Sequence, residues 1–148
     1  KENGTEEDLQ KAIQLSAFEK DLEMLPDGHE TLVGEKGVSL SGGQKQRISI
    51  ARALIADPEI LILDDSLSAV DAKTEAKIIS NIRKERQDKT TIITTHRLTA
   101  VQHADWIVVL DDGKVVEAGL HEQLMARGGW YKEQYERQQV SEGSEVLS

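Results

Sequence analysis

Apolar residues recur at helical spacing at the start of the chain. Leu9, Ala12, Ile13, Ala17, Phe18, Leu22 and Leu25 fall three and four apart between Thr5 and Leu25, which predicts short amphipathic helices. Pro26-Asp27-Gly28 breaks this pattern, and a loop punctuated by Gly34, Gly37, Gly42 and Gly43 follows. Helical spacing returns over Gln44 to Ala56, with Ile48, Ala51, Leu54 and Ile55 facing inward and Ser41 as the expected N-cap. That helix ends before Asp57-Pro58, because a residue preceding proline is driven out of helical geometry.

The period then changes. Ile60-Leu61-Ile62-Leu63 is a continuous apolar run closed by Asp64 and Asp65, the pattern of a parallel strand buried on both faces. A helix is expected from near Asp71, carrying Ala72, Ile78, Ile79 and Ile82 and running into the charged stretch Arg83 to Lys89. Thr90 to Thr95 is a second, β-branched strand with His96 just past its end. A short helix over Leu98 to His103 leads to Trp106 to Leu110, and Asp111-Asp112-Gly113-Lys114 predicts a hairpin into Val115-Val116-Glu117. Glu122 to Arg127 and Trp130 to Gln139 are helical in pattern, and Val140 to Ser148 is polar enough for an unstructured tail. Strand and helix in alternation predict an α/β fold with a parallel sheet, whose ligands lie beyond the carboxyl ends of the strands. Asp64, Asp65 and His96 all fall there.

Composition narrows the picture less. The 148 residues are 38% hydrophobic and 30% charged, an ordinary balance for one globular domain. A net charge of −9 argues against direct binding to nucleic acid, which needs a concentrated Lys/Arg surface. The absence of cysteine excludes disulfides, thiolate metal sites and a Cys nucleophile, and is compatible with a reducing compartment. No apolar run reaches the roughly 18 residues of a membrane-spanning helix, and Lys1 to Lys11 is too polar for a signal peptide. The chain opens at Lys1 without an initiating Met, so a longer parent protein is expected.

Taken singly, the chemistry-bearing residues stay ambiguous. Asp64 and Asp65 are either a strand-delivered carboxylate pair that holds hydrated Mg²⁺ near a phosphate, or ordinary turn residues. Ser41-Gly42-Gly43-Gln44 before a helix is either an anion reader or a flexible turn. His96 is either a phosphate contact or a surface histidine, and Asp71 either a functional loop residue or a helix cap. His121-Glu122 is no zinc-protease motif, because Met125 stands where the second histidine belongs. Trp130, Tyr131 and Tyr135 are either a stacking surface or packing aromatics.

Their order resolves more than any one of them. Leu-Ser-Gly-Gly-Gln-Lys-Gln-Arg over Leu40 to Arg47, the strand ending in Asp64-Asp65, Ser68-Ala69-Val70-Asp71 and Thr94-Thr95-His96-Arg97 resemble, in sequence and spacing, the nucleotide-binding domain of ABC transporters. The resemblance extends upstream to Leu25-Pro26-Asp27-Gly28 and Val33 to Gly37 and downstream over Asp112 to Glu122, and is strongest to exporters, where Val33 to Gly37 resembles the loop that touches the transmembrane coupling helices. It implies a P-loop NTPase-like sheet flanked by helices, with residues 1–43 a partial helical subdomain bearing the signature, 44–139 the C-terminal part of the ATP-binding core and 140–148 a polar tail. It also implies ATP and Mg²⁺ as ligands, a second cassette and a transmembrane domain as partners, and a place at the cytoplasmic face of the cell membrane. Leu40, Ser41, Gly42, Gly43 and Gln44 would then contact ATP held by the opposing cassette, Asp64 would support Mg²⁺, residue 65 would occupy the general-base position, His96 would meet the γ-phosphate, and Asp71 would lie in the loop linking the two ATP sites.

Two departures qualify this. No Gly-x-x-x-x-Gly-Lys-Ser/Thr loop is present, Gly113-Lys114 being the only Gly-Lys pair, so the chain by itself is expected to lack appreciable ATPase activity. Asp65 stands where the family usually has glutamate; its carboxylate is one methylene shorter, so its site is expected to be slow, as in heterodimeric exporters with one impaired and one competent site. The competing expectations are a soluble ABC ATPase of DNA repair or translation and a non-catalytic regulatory cassette half.

Overall fold

The computed structural model describes residues 4–146. They form a mixed α/β fold in two compact units that divide between Thr95 and His96.

In the first unit, Thr5 caps α1 (Glu6–Leu15) in a reciprocal box with Asp8, and the amphipathic pattern buries Ala12 and Ile13. Ala17, at φ 54°, turns the chain into α2 (Glu19–Glu23), and a 3-10 turn over Gly28–Glu30 occupies the break expected at Pro26-Asp27-Gly28. Helix α3 runs Gly42–Ile55, so both signature glycines belong to its first turn. Strand β1 (Ile60–Asp64), helix α4 (Ala72–Glu85) and strand β2 (Thr90–Thr94) form a βαβ unit with parallel pairing from Ile60↔Thr90 to Asp64↔Thr94.

Strand β1 buries alternate residues. Leu61 and Leu63 are buried, but Ile60 is 59% and Ile62 61% exposed, and Ile92, the register partner of Ile62, is also open. Among the described residues the packing elements cover one face of this two-stranded sheet. The charged stretch after α4 holds a surprise. Arg86 is buried, donating through Nη2 to the carbonyls of Pro58 (2.8 Å) and Thr90 (3.2 Å) and through Nε to Thr91 Oγ1 (3.2 Å). It joins the entrances of the two strands.

In the second unit, a 3-10 turn over Leu98–Ala100 precedes an antiparallel hairpin of β3 (Ile107–Asp111) and β4 (Lys114–Gly119). The two-residue turn sets Asp112 (φ 48°) and Gly113 (φ 70°) in the left-handed region, as an Asp-Gly hairpin requires. Helix α5 (His121–Arg127) stops at Gly128, φ 69°, and α6 spans Trp130–Val146. The core comprises Leu98, Ile107, Val109, Leu124, Tyr131 and Tyr135. Tyr131 and Tyr135 are therefore packing aromatics, while Trp130 stays half exposed. The Tyr131 hydroxyl lies 2.8 Å from His121 Nδ1, and burial, with a contribution from Tyr135, pushes its pKa up to about 12.

The expected unstructured tail is helical through Val146; Leu147 and Ser148 lie outside the described residues. Its polarity misleads because polar side chains on α6 are tethered: Gln138 and Glu142 both hydrogen-bond to the chain around Leu98.

The junction of α5 and α6 is tightly filled. Buried Glu117 accepts the Tyr131 N–H through Oε2 (3.1 Å), while Oε1 lies 4.0 Å from Arg127 Nε without a hydrogen bond. A Cβ at Gly129 would stand 2.6 Å from that oxygen. Gly129→Ala is expected to destabilise the intact ATP-binding domain by about 1–3 kcal/mol, the usual cost of overpacking, read as a lower urea midpoint.

Candidate functional site

The signature turn is built by helix capping. Ser41 Oγ accepts the Gln44 N–H (3.2 Å) and Gln44 Oε1 accepts the Ser41 N–H (2.9 Å), a reciprocal capping box. Residues in this first helical turn have amides that no intrahelical carbonyl can reach, so Gly42 and Gly43 present donors at the positive end of the α3 dipole. Leu40, just before the cap, is buried and anchors the turn.

Three side chains hold that turn in place. Gln44 Nε2 donates to Asp21 Oδ1 (3.0 Å), and Arg47 grips both Asp21 oxygens, at 2.6 and 3.2 Å. Arg47 also donates to the Ala17 carbonyl (2.9 Å) and stacks over Phe18. Burial pushes the Asp21 carboxyl up, but hydrogen bonds from Arg47 and Gln44 and the guanidinium charge outweigh it and hold the group below the usual carboxylate range. On the other side, Gln46 Nε2 donates to Ser68 Oγ (2.9 Å) and Gln46 Oε1 accepts the Ala69 N–H (2.8 Å). Signature helix and the 66–70 loop are thereby joined side chain to backbone, with Gly43 against Ala69.

At the carboxyl end of the parallel strands, Thr94 organises both aspartates. Its hydroxyl donates to Asp64 Oδ1 (2.6 Å) and accepts the Asp65 N–H (3.0 Å). Asp65 adopts φ 51°, a left-handed conformation that aspartate tolerates better than most residues. Both carboxylates are exposed. Among the described residues no group of three His, Asp or Glu side chains is placed to hold a metal unaided. Asp71 caps α4, its Oδ2 accepting the Thr74 N–H (3.0 Å), and this hydrogen bonding lowers its pKa.

The first unit thus gathers Leu40 to Gln44, the 66–70 loop and Asp71 along one connected path, and Asp64 with Asp65 around Thr94. His96 belongs to the second unit, where its side chain is exposed and its carbonyl accepts from Gln138 Nε2 (2.7 Å). Sequence reasoning passed over Asp21, Gln46, Arg47, Thr94 and Gln138 as actors. Gln46 and Arg47 follow the signature directly, and their polar side chains on a helix with buried Ile50 and Leu54 were the available signal. Nothing local marks Asp21 or Gln138, whose partners lie 26 and 42 residues away.

No helix among the described residues is long and apolar enough to cross a membrane. The sequence model of the ABC transporter family matches residues 1–68. The chain is 68% identical over 140 residues to a probable multidrug resistance ABC transporter ATP-binding/permease protein, YheI, of Bacillus subtilis, covering 95% of the chain and 24% of that relative. It is 48% identical over 138 residues to the multidrug resistance-like ATP-binding protein MdlA of Escherichia coli, covering 93% and 23%. A structure of a bacterial Atm1-family ABC exporter with ATP bound superposes with a TM-score of 0.84 at 40% identity, over 93% of the chain and 24% of that protein. The chain spans about a quarter of the length of these relatives. Motif order, the capped signature turn, the βαβ unit with its terminal aspartates and these likenesses agree: the chain belongs to the ABC transporter family, as a segment of an exporter-type ATP-binding domain.

Proposed function

We propose that this chain is the C-terminal portion of the motor domain of an ABC exporter, in which ATP binding closes two cassettes, hydrolysis reopens them and the motion drives an attached transmembrane domain at the cytoplasmic face of the membrane. In this reading residues 1–43 carry the partial helical subdomain and 44–139 the ATP-binding core. The observation that carries the reading is the signature turn, a capped helix start whose Gly42 and Gly43 amides have no acceptor within the helix and can serve an anion. A turn supported from behind by Asp21, Arg47 and Gln46 is preorganised for a ligand supplied from outside, here the γ-phosphate of ATP on a second cassette. The likeness to proteins named for multidrug resistance supports export over a soluble ATPase of DNA repair or translation.

Asp64 fits the single carboxylate that Mg²⁺ can take from a protein when phosphates and water complete its shell. Bound there, the ion would neutralise charge on the phosphates. The chain's own part is narrower: Thr94 holds Asp64 by one oxygen and so directs the other, Asp65 occupies the position for orienting an attacking water, and His96 is assigned to the γ-phosphate. Asp71, as the α4 cap, fixes the far end of the loop that would link the two ATP sites.

Asp65 makes this site the slow one of a heterodimer, while the intact signature completes the partner's competent site. Asp65→Glu in the full heterodimer is expected to raise hydrolysis at this site by about 10- to 100-fold, since transfer of a proton from the attacking water is sensitive to placement on the 1 Å scale. Phosphate release measured with the partner's site disabled checks it, and an unchanged per-site rate would refute the assignment.

A further inference from the structure

Helix α6 grips the stretch after β2 with one face. Gln138 straddles Arg97: its Nε2 donates to the His96 carbonyl (2.7 Å) and its Oε1 accepts the Leu98 N–H (2.8 Å). Tyr135, one turn earlier, donates its hydroxyl proton to Gln102 Oε1 (2.6 Å), and Glu142, one turn later, accepts from Thr99 Oγ1 (3.1 Å). Positions 135, 138 and 142 are three and four apart, so they share a face of the helix. Leu98 and Tyr135 are buried in the same core, which seats the grip on packed side chains.

A side-chain amide that donates to one backbone group and accepts from another fixes both peptide planes flanking the residue between them. Here those planes are the ones on either side of Arg97, and the first of them belongs to His96. The His96 side chain is exposed, so the direction of its Cα–Cβ bond is set by backbone placement and not by surrounding packing. We propose that Gln138 is a positioning residue for His96, through which helix α6 sets where the imidazole meets the γ-phosphate. The inference rests on the assignment of His96 to that phosphate. It gives α6 a role in ATP turnover.

Steady-state ATP hydrolysis by the full-length transporter tests it. Gln138→Met keeps the length and apolar contact of the side chain and removes both hydrogen bonds. It is expected to lower kcat by about 10-fold, the cost of a small misplacement, with KM for ATP within about twofold of the parent. His96→Ala is expected to lower kcat further, and the double variant to be no slower than His96→Ala alone. Should Gln138→Met fail to fold, Gln138→Glu answers the same question, because it retains the acceptor for Leu98 and loses the donor to His96; the same kcat loss is expected. An unchanged kcat in the Gln138 variants beside a slow His96→Ala would overturn the positioning role and leave the His96 assignment standing. A Gln138 defect that adds in full to that of His96→Ala would reduce Gln138 to a structural contact. A normal rate in His96→Ala would sink the assignment itself, and the inference with it.

Discussion

Gly43→Ala is expected to lower ATP turnover of the assembled transporter by about 10- to 100-fold while the protein still folds. The added Cβ would stand 2.8 Å from the Ala69 carbonyl oxygen and 3.5 Å from its carbon. That neighbour cannot retreat easily: the Ala69 N–H is held by Gln46 Oε1 at 2.8 Å, and Leu67 and Val70 on either side are buried. The first turn of α3 must therefore move by several tenths of an ångström, carrying the amides proposed above to meet the partner's γ-phosphate. Misplacement of about 1 Å is enough to cost about 100-fold in rate. Phosphate release at saturating ATP measures the effect, and a parental rate would mean that the signature turn does not have to sit against the 66–70 loop.

The second large effect falls on stability. Arg47→Ala is expected to destabilise the intact ATP-binding domain by about 3 kcal/mol, because removing one partner of a largely buried ion pair strands the other. Only 13% of the Arg47 and 22% of the Asp21 side chain is exposed, so solvent cannot replace the lost hydrogen bonds well. The same removal frees the Ala17 carbonyl, at the left-handed turn between α1 and α2. Acid should reproduce part of the loss. The folded Asp21 pKa lies below its unfolded value, so the stability it contributes is present above the unfolded value, about 3.9 for aspartate, and is lost as pH falls through the folded one. Urea midpoints for parent and Arg47→Ala should converge as pH drops below about 4, whereas a constant gap would place the pair's contribution elsewhere.

How far these parts can be read in the chain depends on how local they are. Ser41 and Asp71 are legible as caps because a cap is a contact over three residues, and each forms that bond. The Asp112-Gly113 hairpin is legible because its left-handed backbone is a property of those two residue types. The opposite holds for Arg86, which sits in a charged run that reads as a solvated helix end and is nearly fully buried. Only the closeness of Pro58 and Thr90 carbonyls, set by strand pairing, makes burial of that guanidinium tolerable. Residues 140–146 fail in the same way: their composition is that of a tail, and their helix continues because residues some 40 positions earlier supply partners for its polar side chains.

The sequence by itself determined the caps, the turns, the order of helices and strands, and the family motifs from Leu40 to His96, since all of these depend on neighbours a few residues away or on side-chain chemistry alone. Only the tertiary structure decided that Asp21 and Gln46 brace the signature from two sides, that Thr94 organises Asp64 and Asp65, and that Gln138 holds the backbone at His96. Each of these joins residues more than twenty positions apart, where periodicity carries no information, and each becomes favourable only after the elements have docked and brought their unpaired polar groups within reach of one another.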